Sequence, residues 1–120
     1  MNAYLLIALG SALGGVLRFR IGTETGGKLG APHLGTVFVN VTGSFLIGFI
    51  AALGPIPFTR QLFMIGLLGG YTTFSSFSLQ TLELAHEGRW ATAGGNVVLS
   101  VVLSLVAVWL GHLCGSVLRR

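Results

Sequence analysis

Apolar residues fill this 120-residue chain in four long runs separated by short polar connections. The runs extend over about residues 3–21, 34–53, 58–84 and 90–117. Each run holds about the 20 apolar residues that an α-helix needs to cross a bilayer. The pattern predicts an all-α membrane protein, with a single four-helix transmembrane domain over residues 1–120.

The connections contain the residues that favour turns. The first, Ile21 to His33, is rich in glycine, and we expect a loop there. Gly54-Pro55-Ile56-Pro57 forms the second connection and His86-Glu87-Gly88-Arg89 the third. With four spans, the amino terminus, the second connection and the carboxyl terminus are expected to share one side of the membrane.

One polar segment interrupts the third run. Gly69 and Gly70 weaken a helix, and residues 71–78 then place five Thr and Ser side chains around two phenylalanines. In hydrocarbon, a loosened backbone is tolerated only where protein, a water-filled cavity or an ion satisfies the freed polar groups. We therefore predict that the third helix is broken near its middle and that the break lies at an ion site.

Pairs of glycines four residues apart predict where helices approach closely. Gly10 and Gly14 form such a pair in the first run, Gly66 and Gly70 in the third, and Gly111 and Gly115 in the fourth.

Composition excludes several classes of protein. With 52% hydrophobic and 8% charged residues, the chain lacks the roughly 25% charge of an average soluble domain. The net charge of +4 is scattered and forms no basic patch, which argues against a nucleic-acid partner. An enzyme is disfavoured because the chain offers no nucleophile and base pair.

Three features inside the runs each have two interpretations. Asn40 needs partners in hydrocarbon, which either a neighbouring helix or an ion in a pore would supply. Arg18 either extends to the lipid headgroups or lines a wet vestibule that attracts anions. Phe74 and Phe77 either pack against lipid and protein or turn their positive ring edges toward an anion.

The fourth run carries a polar stripe. Thr92, Asn96, Ser100 and Ser104 follow one another at intervals of four and share one face of a helix that is otherwise Val, Leu and Ala. Four residues in register indicate a line of hydrogen-bond donors.

Basic residues are nearly balanced across the membrane. Three lie on one side and four on the other: Arg60, Arg119 and Arg120 against Arg18, Arg20, Lys28 and Arg89. The positive-inside rule then gives no preferred orientation. A chain that inserts both ways predicts an antiparallel, dual-topology homodimer with a twofold axis in the membrane plane. Carbonyls from two such breaks would suit a small hard cation.

Three sequence segments together resemble the Fluc (CrcB) family of fluoride channels. They are Gly69-Gly-Tyr-Thr-Thr-Phe-Ser-Ser-Phe-Ser, Gly14-Gly-Val-Leu-Arg18 and Gly35-Thr-Val-Phe-Val-Asn40-Val-Thr-Gly-Ser44. The resemblance implies a dual-topology dimer with two pores that exports fluoride passively from the microbial cytoplasm, across the plasma membrane or inner membrane. It also implies a structural sodium ion at the centre of the dimer.

The resemblance assigns roles to individual residues. Asn40, Phe74, Phe77, Ser100 and Ser104 match the pore, Arg18 the vestibule, and Gly69 and Thr72 the sodium-binding carbonyls. We expect the hydroxyls of Thr73 and Ser76 to line the pore as well. The chain departs from relatives at Gln80, where many have glutamate, and at Asn96, where some have tyrosine.

Two other functions remain open at this point. A small four-helix proton-coupled exporter would need a titratable carboxylate within a span, and only Glu83 comes near one. A non-transport structural subunit would explain the glycine pairs, but it leaves the polar residues on three spans without a purpose.

Overall fold

The computed structural model describes residues 2–120, and these are helical almost throughout. The helices are α1 (Ala3–Leu29), α2 (Pro32–Ala52), α3 (residues 57–71), α4 (Phe74–His86) and α5 (Trp90–Arg119). α3 combines a turn at Pro57–Thr59, a π-helical segment at Arg60–Leu68 and an α-helical turn at Gly69–Tyr71. Together α3 and α4 make one span, so the protein has four helical spans long and apolar enough to cross a membrane.

Thr72 and Thr73 separate α3 from α4. Both have extended backbone, with φ and ψ of −85° and 154° at Thr72 and −150° and 125° at Thr73. The amide and hydroxyl of Thr72 both donate to the Leu68 carbonyl, at 3.0 and 2.9 Å, and close α3. Thr73 Oγ1 accepts the Ser76 amide at 3.2 Å and caps the start of α4. Two adjacent β-branched residues therefore end one helix and begin the next.

The first connection is much shorter than the sequence indicated, and the predicted loop from Ile21 to His33 is wrong. α1 continues to Leu29, and only Gly30 and Ala31 separate it from α2. Gly30 ends α1 in the left-handed conformation, with φ of 86°, which glycine adopts without strain.

Two of the glycines that suggested a loop, Gly22 and Gly26, are contact positions between α1 and α2. A Cβ atom at Gly35 would collide with the Gly22 carbonyl and would come within 2.9 Å of the Gly26 amide. The absence of a side chain at Gly35 therefore lets α2 approach the α1 backbone at Gly22 and Gly26. The same residue type serves turns and helix crossings, which is why the local sequence was misread.

The close contacts predicted at the glycine pairs are confirmed. A Cβ atom at Gly10 or Gly14 would collide with the backbone of α3, and one at Gly70 would lie 2.6 Å from the Ser11 carbonyl. On the other side of the bundle, a Cβ atom at Gly111 would collide with the Phe45 carbonyl. α1 thus lies directly on α3, and α2 on α5.

A small apolar core supports the interruption. Val39 of α2 packs with Leu68 and Tyr71, which precede the extended segment, and all three are buried. The Tyr71 hydroxyl lies 2.9 Å from Thr42 Oγ1, so its polar end is also satisfied. The end of α3 is held against α2 as a result.

Replacing Gly111 with alanine should destabilise the protein, because the new methyl group has no room beside the Phe45 backbone. We expect the free energy of unfolding to fall by about 1–3 kcal/mol, as in other overpacked interiors. Gly94→Ala is the matched control, since no atom lies within 4 Å of a Cβ there. Unfolding in detergent, followed by circular dichroism, measures both. Equal changes in the two variants would contradict the close crossing.

Candidate functional site

A cleft of about 530 Å³ opens beside the extended segment, between α2 and α5. We call it the interruption cleft. Most residues predicted for the pore line it, together with both residues predicted to bind sodium: Asn40, Thr73, Phe74, Phe77, Ser100, Ser104, Gly69 and Thr72. Polar residues from α2, from the interrupted span and from α5 therefore meet in one cleft.

Asn40 is hydrogen-bonded to the backbone of Thr73 through both ends of its amide. Its Oδ1 accepts the Thr73 amide at 2.7 Å, and its Nδ2 donates to the Thr73 carbonyl at 2.9 Å. This pair replaces the helical partners that Thr73 lacks. An amide nitrogen carries two protons, so Asn40 can hold Thr73 and still offer one N–H to the cleft. The two interpretations of Asn40 are compatible.

Phe74 and Phe77 form a tilted aromatic pair with ring centroids 5.2 Å apart and an interplanar angle of 54°. Phe77 is buried at 8% exposure, whereas Phe74 is 76% exposed on the outside of the chain. Both line the interruption cleft. Phe77 therefore forms a buried part of the cleft wall, whereas Phe74 forms a part that is open to the surroundings of the chain.

A second cleft, of about 580 Å³, lies on the other side of the extended segment, between α1, α2 and α4. We call it the arginine cleft. Arg18, Thr36, Ser76 and Gln80 line it. Ser76 was predicted to line the pore with the other hydroxyls, but the structure places it here. Thr73 lines both clefts and is the partition between them.

Arg18 is hydrogen-bonded to the interrupted span. Its Nε donates to the Gly70 carbonyl at 3.1 Å, and Nη1 donates to Ser76 Oγ at 3.5 Å. The guanidinium therefore lies at the C-terminal end of α3, where a positive charge interacts favourably with the helix dipole. Arg18 thus connects α1 to both parts of the interrupted span.

Gln80 has a buried amide oxygen, Oε1, with no hydrogen-bond partner in the part of the chain that the structure describes. It borders the arginine cleft. A buried acceptor of this kind is normally satisfied by an ordered water. Gln80 and Arg18 therefore both place polar groups on the lining of the arginine cleft.

Sequence reasoning missed several contacts that shape the site. It did not foresee the Arg18 bond to Gly70, or the bond between Thr42 and Tyr71. The bond of Tyr71 could have been anticipated in part, because a buried tyrosine hydroxyl requires a polar partner. The partner's position on α2 depends on how the helices cross, which no local pattern reveals.

Side chains do not form a metal centre in residues 2–120, where no group of three or more His, Cys, Asp or Glu residues could hold a metal ion. Backbone carbonyls offer a different kind of ligand. The Thr73 amide bonds to Asn40, so the Gly69 carbonyl lacks its usual partner four residues ahead. Hard carbonyl oxygens of this type suit a small hard cation.

Four apolar helical spans with polar clefts between them define a multi-pass α-helical membrane protein. The chain belongs to the CrcB family, because it matches the family described as CrcB-like protein, Camphor Resistance (CrcB), over residues 5–112. The resemblance read from the three sequence segments is confirmed.

Relatives in several bacteria are named fluoride-specific ion channel FluC. The protein from Opitutus terrae is 54% identical, over 94% of this chain and 92% of its own length. The protein from Rhodospirillum rubrum is 52% identical over 96% and 95%, and that from Paramagnetospirillum magneticum 46% identical over both full lengths. The similarity extends over the complete four-helix unit.

Replacing Asn40 with leucine should destabilise the fold, because the Thr73 amide and carbonyl both lose their partner. Two stranded backbone groups predict a fall of about 2–4 kcal/mol in the free energy of unfolding. Ser44→Ala is the matched control on the same helix and in the same cleft, and we expect it to change stability by less than about 0.5 kcal/mol. Unfolding in detergent measures both. An Asn40→Leu protein as stable as the control would contradict this role.

Proposed function

We propose that this chain forms a fluoride-selective channel through which the ion leaves the cytoplasm passively, across the plasma membrane or inner membrane. The observation that carries the proposal is the interruption cleft, where Asn40, the two phenylalanines and the serines of α5 come together beside an unwound backbone. The names of the relatives support the same ion.

The lining of the interruption cleft suits an anion that holds its water strongly. A pore for such an ion must replace hydration with hydrogen-bond donors without trapping it. The lining offers one amide, several hydroxyls and two aromatic rings, and every residue of the lining is uncharged. A full positive charge is instead placed at Arg18, in the neighbouring cleft, where it would attract anions without binding them in the pore.

We propose an antiparallel homodimer as the working form. The basic residues are nearly balanced across the membrane, with three on one side and four on the other: Arg60, Arg119 and Arg120 against Arg18, Arg20, Lys28 and Arg89. Balanced charge favours insertion in both orientations. The exposed Phe74 would then face a partner subunit that closes the open wall of the cleft.

A structural sodium ion fits the interrupted segment. The Gly69 carbonyl lacks its usual helical donor, because the Thr73 amide bonds to Asn40. With Thr72, it would supply backbone oxygens from each subunit to an ion on the twofold axis. The ion would offset unpaired carbonyl dipoles and would remain bound while fluoride passes.

The protein reconstituted in liposomes should release fluoride but not chloride, and a proton gradient should not change the rate. Phe77→Ile should reduce fluoride release by about tenfold or more, because it removes an aromatic ring, with its partly positive hydrogens, from the cleft without adding charge. Ion-selective electrodes measure both anions.

Phe58→Ile is the matched control, because Phe58 lies at the start of α3 and outside both clefts. It should conduct like the wild type. Equal release of chloride, or release that requires a proton gradient, would contradict the proposal, and the second outcome would favour a proton-coupled exporter.

Replacing sodium with the much larger N-methylglucamine cation should weaken the dimer and slow fluoride release. The reason is that only a small cation can approach the Gly69 and Thr72 carbonyls closely. Size-exclusion chromatography and efflux in sodium-free buffer measure the two effects, with potassium chloride as the ionic-strength control. A dimer of unchanged stability and activity would contradict the sodium site.

A further inference from the structure

Asn96 is among the most enclosed polar side chains of the protein, at 3% exposure, yet it does not line the interruption cleft. It lies on α5 one turn before Ser100, which does line the cleft. Its Nδ2 donates to Thr81 Oγ1 of α4 at 3.0 Å, and its Oδ1 accepts from Ser100 Oγ at 3.4 Å. Asn96 therefore connects Ser100 of the cleft to Thr81 on the facing helix α4.

The direction of this hydrogen-bond chain is determined by its far end. Thr81 Oγ1 donates to the Phe77 carbonyl at 2.8 Å, in the common bond of a helical threonine to the preceding turn. A hydroxyl has a single proton, so Thr81 can only accept from Asn96. The amide must turn its nitrogen toward Thr81 and its oxygen toward Ser100.

The Ser100 proton is consequently directed at Asn96 and away from the cleft. To donate to an anion, the Ser100 hydroxyl must rotate and leave the Asn96 oxygen, which is then a buried acceptor without a partner. That state is unfavourable. The 3.4 Å separation marks a weak bond that an anion can displace and that re-forms when the anion leaves.

Resting on the proposed channel function, we propose that Asn96 is a positioning residue that competes with fluoride for the Ser100 proton and so keeps the ion weakly bound. Rapid passage requires binding that is weak enough to release the ion. Asn96 would therefore set the affinity of the cleft without touching the ion.

The test is fluoride efflux from liposomes over a range of fluoride concentrations for wild type and Asn96→Leu. Leucine has a similar size and removes the competing oxygen, while Thr81 keeps its bond to Phe77. We expect the half-saturating fluoride concentration to fall roughly fivefold, the effect of one hydrogen bond, and the maximum rate to fall as well. A purely structural role would lower the maximum rate and leave half-saturation unchanged, which would overturn the proposal.

A double-mutant cycle isolates the contact. In a Ser100→Ala background, Asn96→Leu should no longer change half-saturation. In a Ser104→Ala background, which removes a different hydroxyl of the same cleft, the fivefold change should persist. An effect of equal size in both backgrounds would overturn the proposal.

Thr81→Val provides a second variant of nearly unchanged shape should Asn96→Leu fail to fold. It frees the Asn96 amide to turn its nitrogen toward Ser100, so the half-saturating fluoride concentration should again fall, and an unchanged value would overturn the proposal.

A wild-type protein that carries no fluoride would overturn the channel function itself. A conducting wild type without coupling between Asn96 and Ser100 would overturn this inference alone.

Discussion

The structure depends on the compensation of a few backbone groups that leave helical geometry within an apolar span. An unpaired amide or carbonyl is expensive in hydrocarbon, and the extended backbone at Thr72 and Thr73 frees several. Asn40 takes both groups of Thr73, and Arg18 takes the Gly70 carbonyl. Because these partners come from two other helices, the bundle and its irregular segment stabilise each other.

Close helix crossings place Asn40 and Arg18 beside the extended segment. Where glycines of α1 meet α3, the backbones touch directly. Short side chains on a distant helix could not reach the unwound segment, whereas an amide on a close helix can. Close packing and polar compensation are therefore parts of a single arrangement, and the clefts on either side of Thr73 are what remains between the helices.

The spans could be predicted from the sequence because length and apolar composition alone decide whether a helix can cross a bilayer. The length of the first helix could not be predicted in this way. Gly22 and Gly26 look like loop residues until Gly35 is seen opposite them, and only the tertiary structure shows that contact. Helix propensity correctly ranks glycine as a weak helix former. The packing of α1 against α2 overrides that preference.

The residues that belong to the candidate site could be predicted from the sequence better than their arrangement. The hydroxyls around the phenylalanines share a motif, but Thr73 caps α4, and the helix that starts there turns Phe74 and Phe77 toward one cleft and Ser76 toward the other. The starting register of a helix after an extended residue is set by its cap, and a hydropathy pattern does not contain it. For Asn40, the sequence offered two roles, and the chemistry of an amide permits both.

The glycine crossings invert the usual relation between the size of a residue and its importance to a fold. In an ordinary globule the bulky interior side chains tolerate least change, whereas many large residues of this protein, such as Trp109 and Leu118, face outward and line neither cleft. Natural variation should therefore be freest among these outward-facing apolar residues and narrowest at the smallest residues.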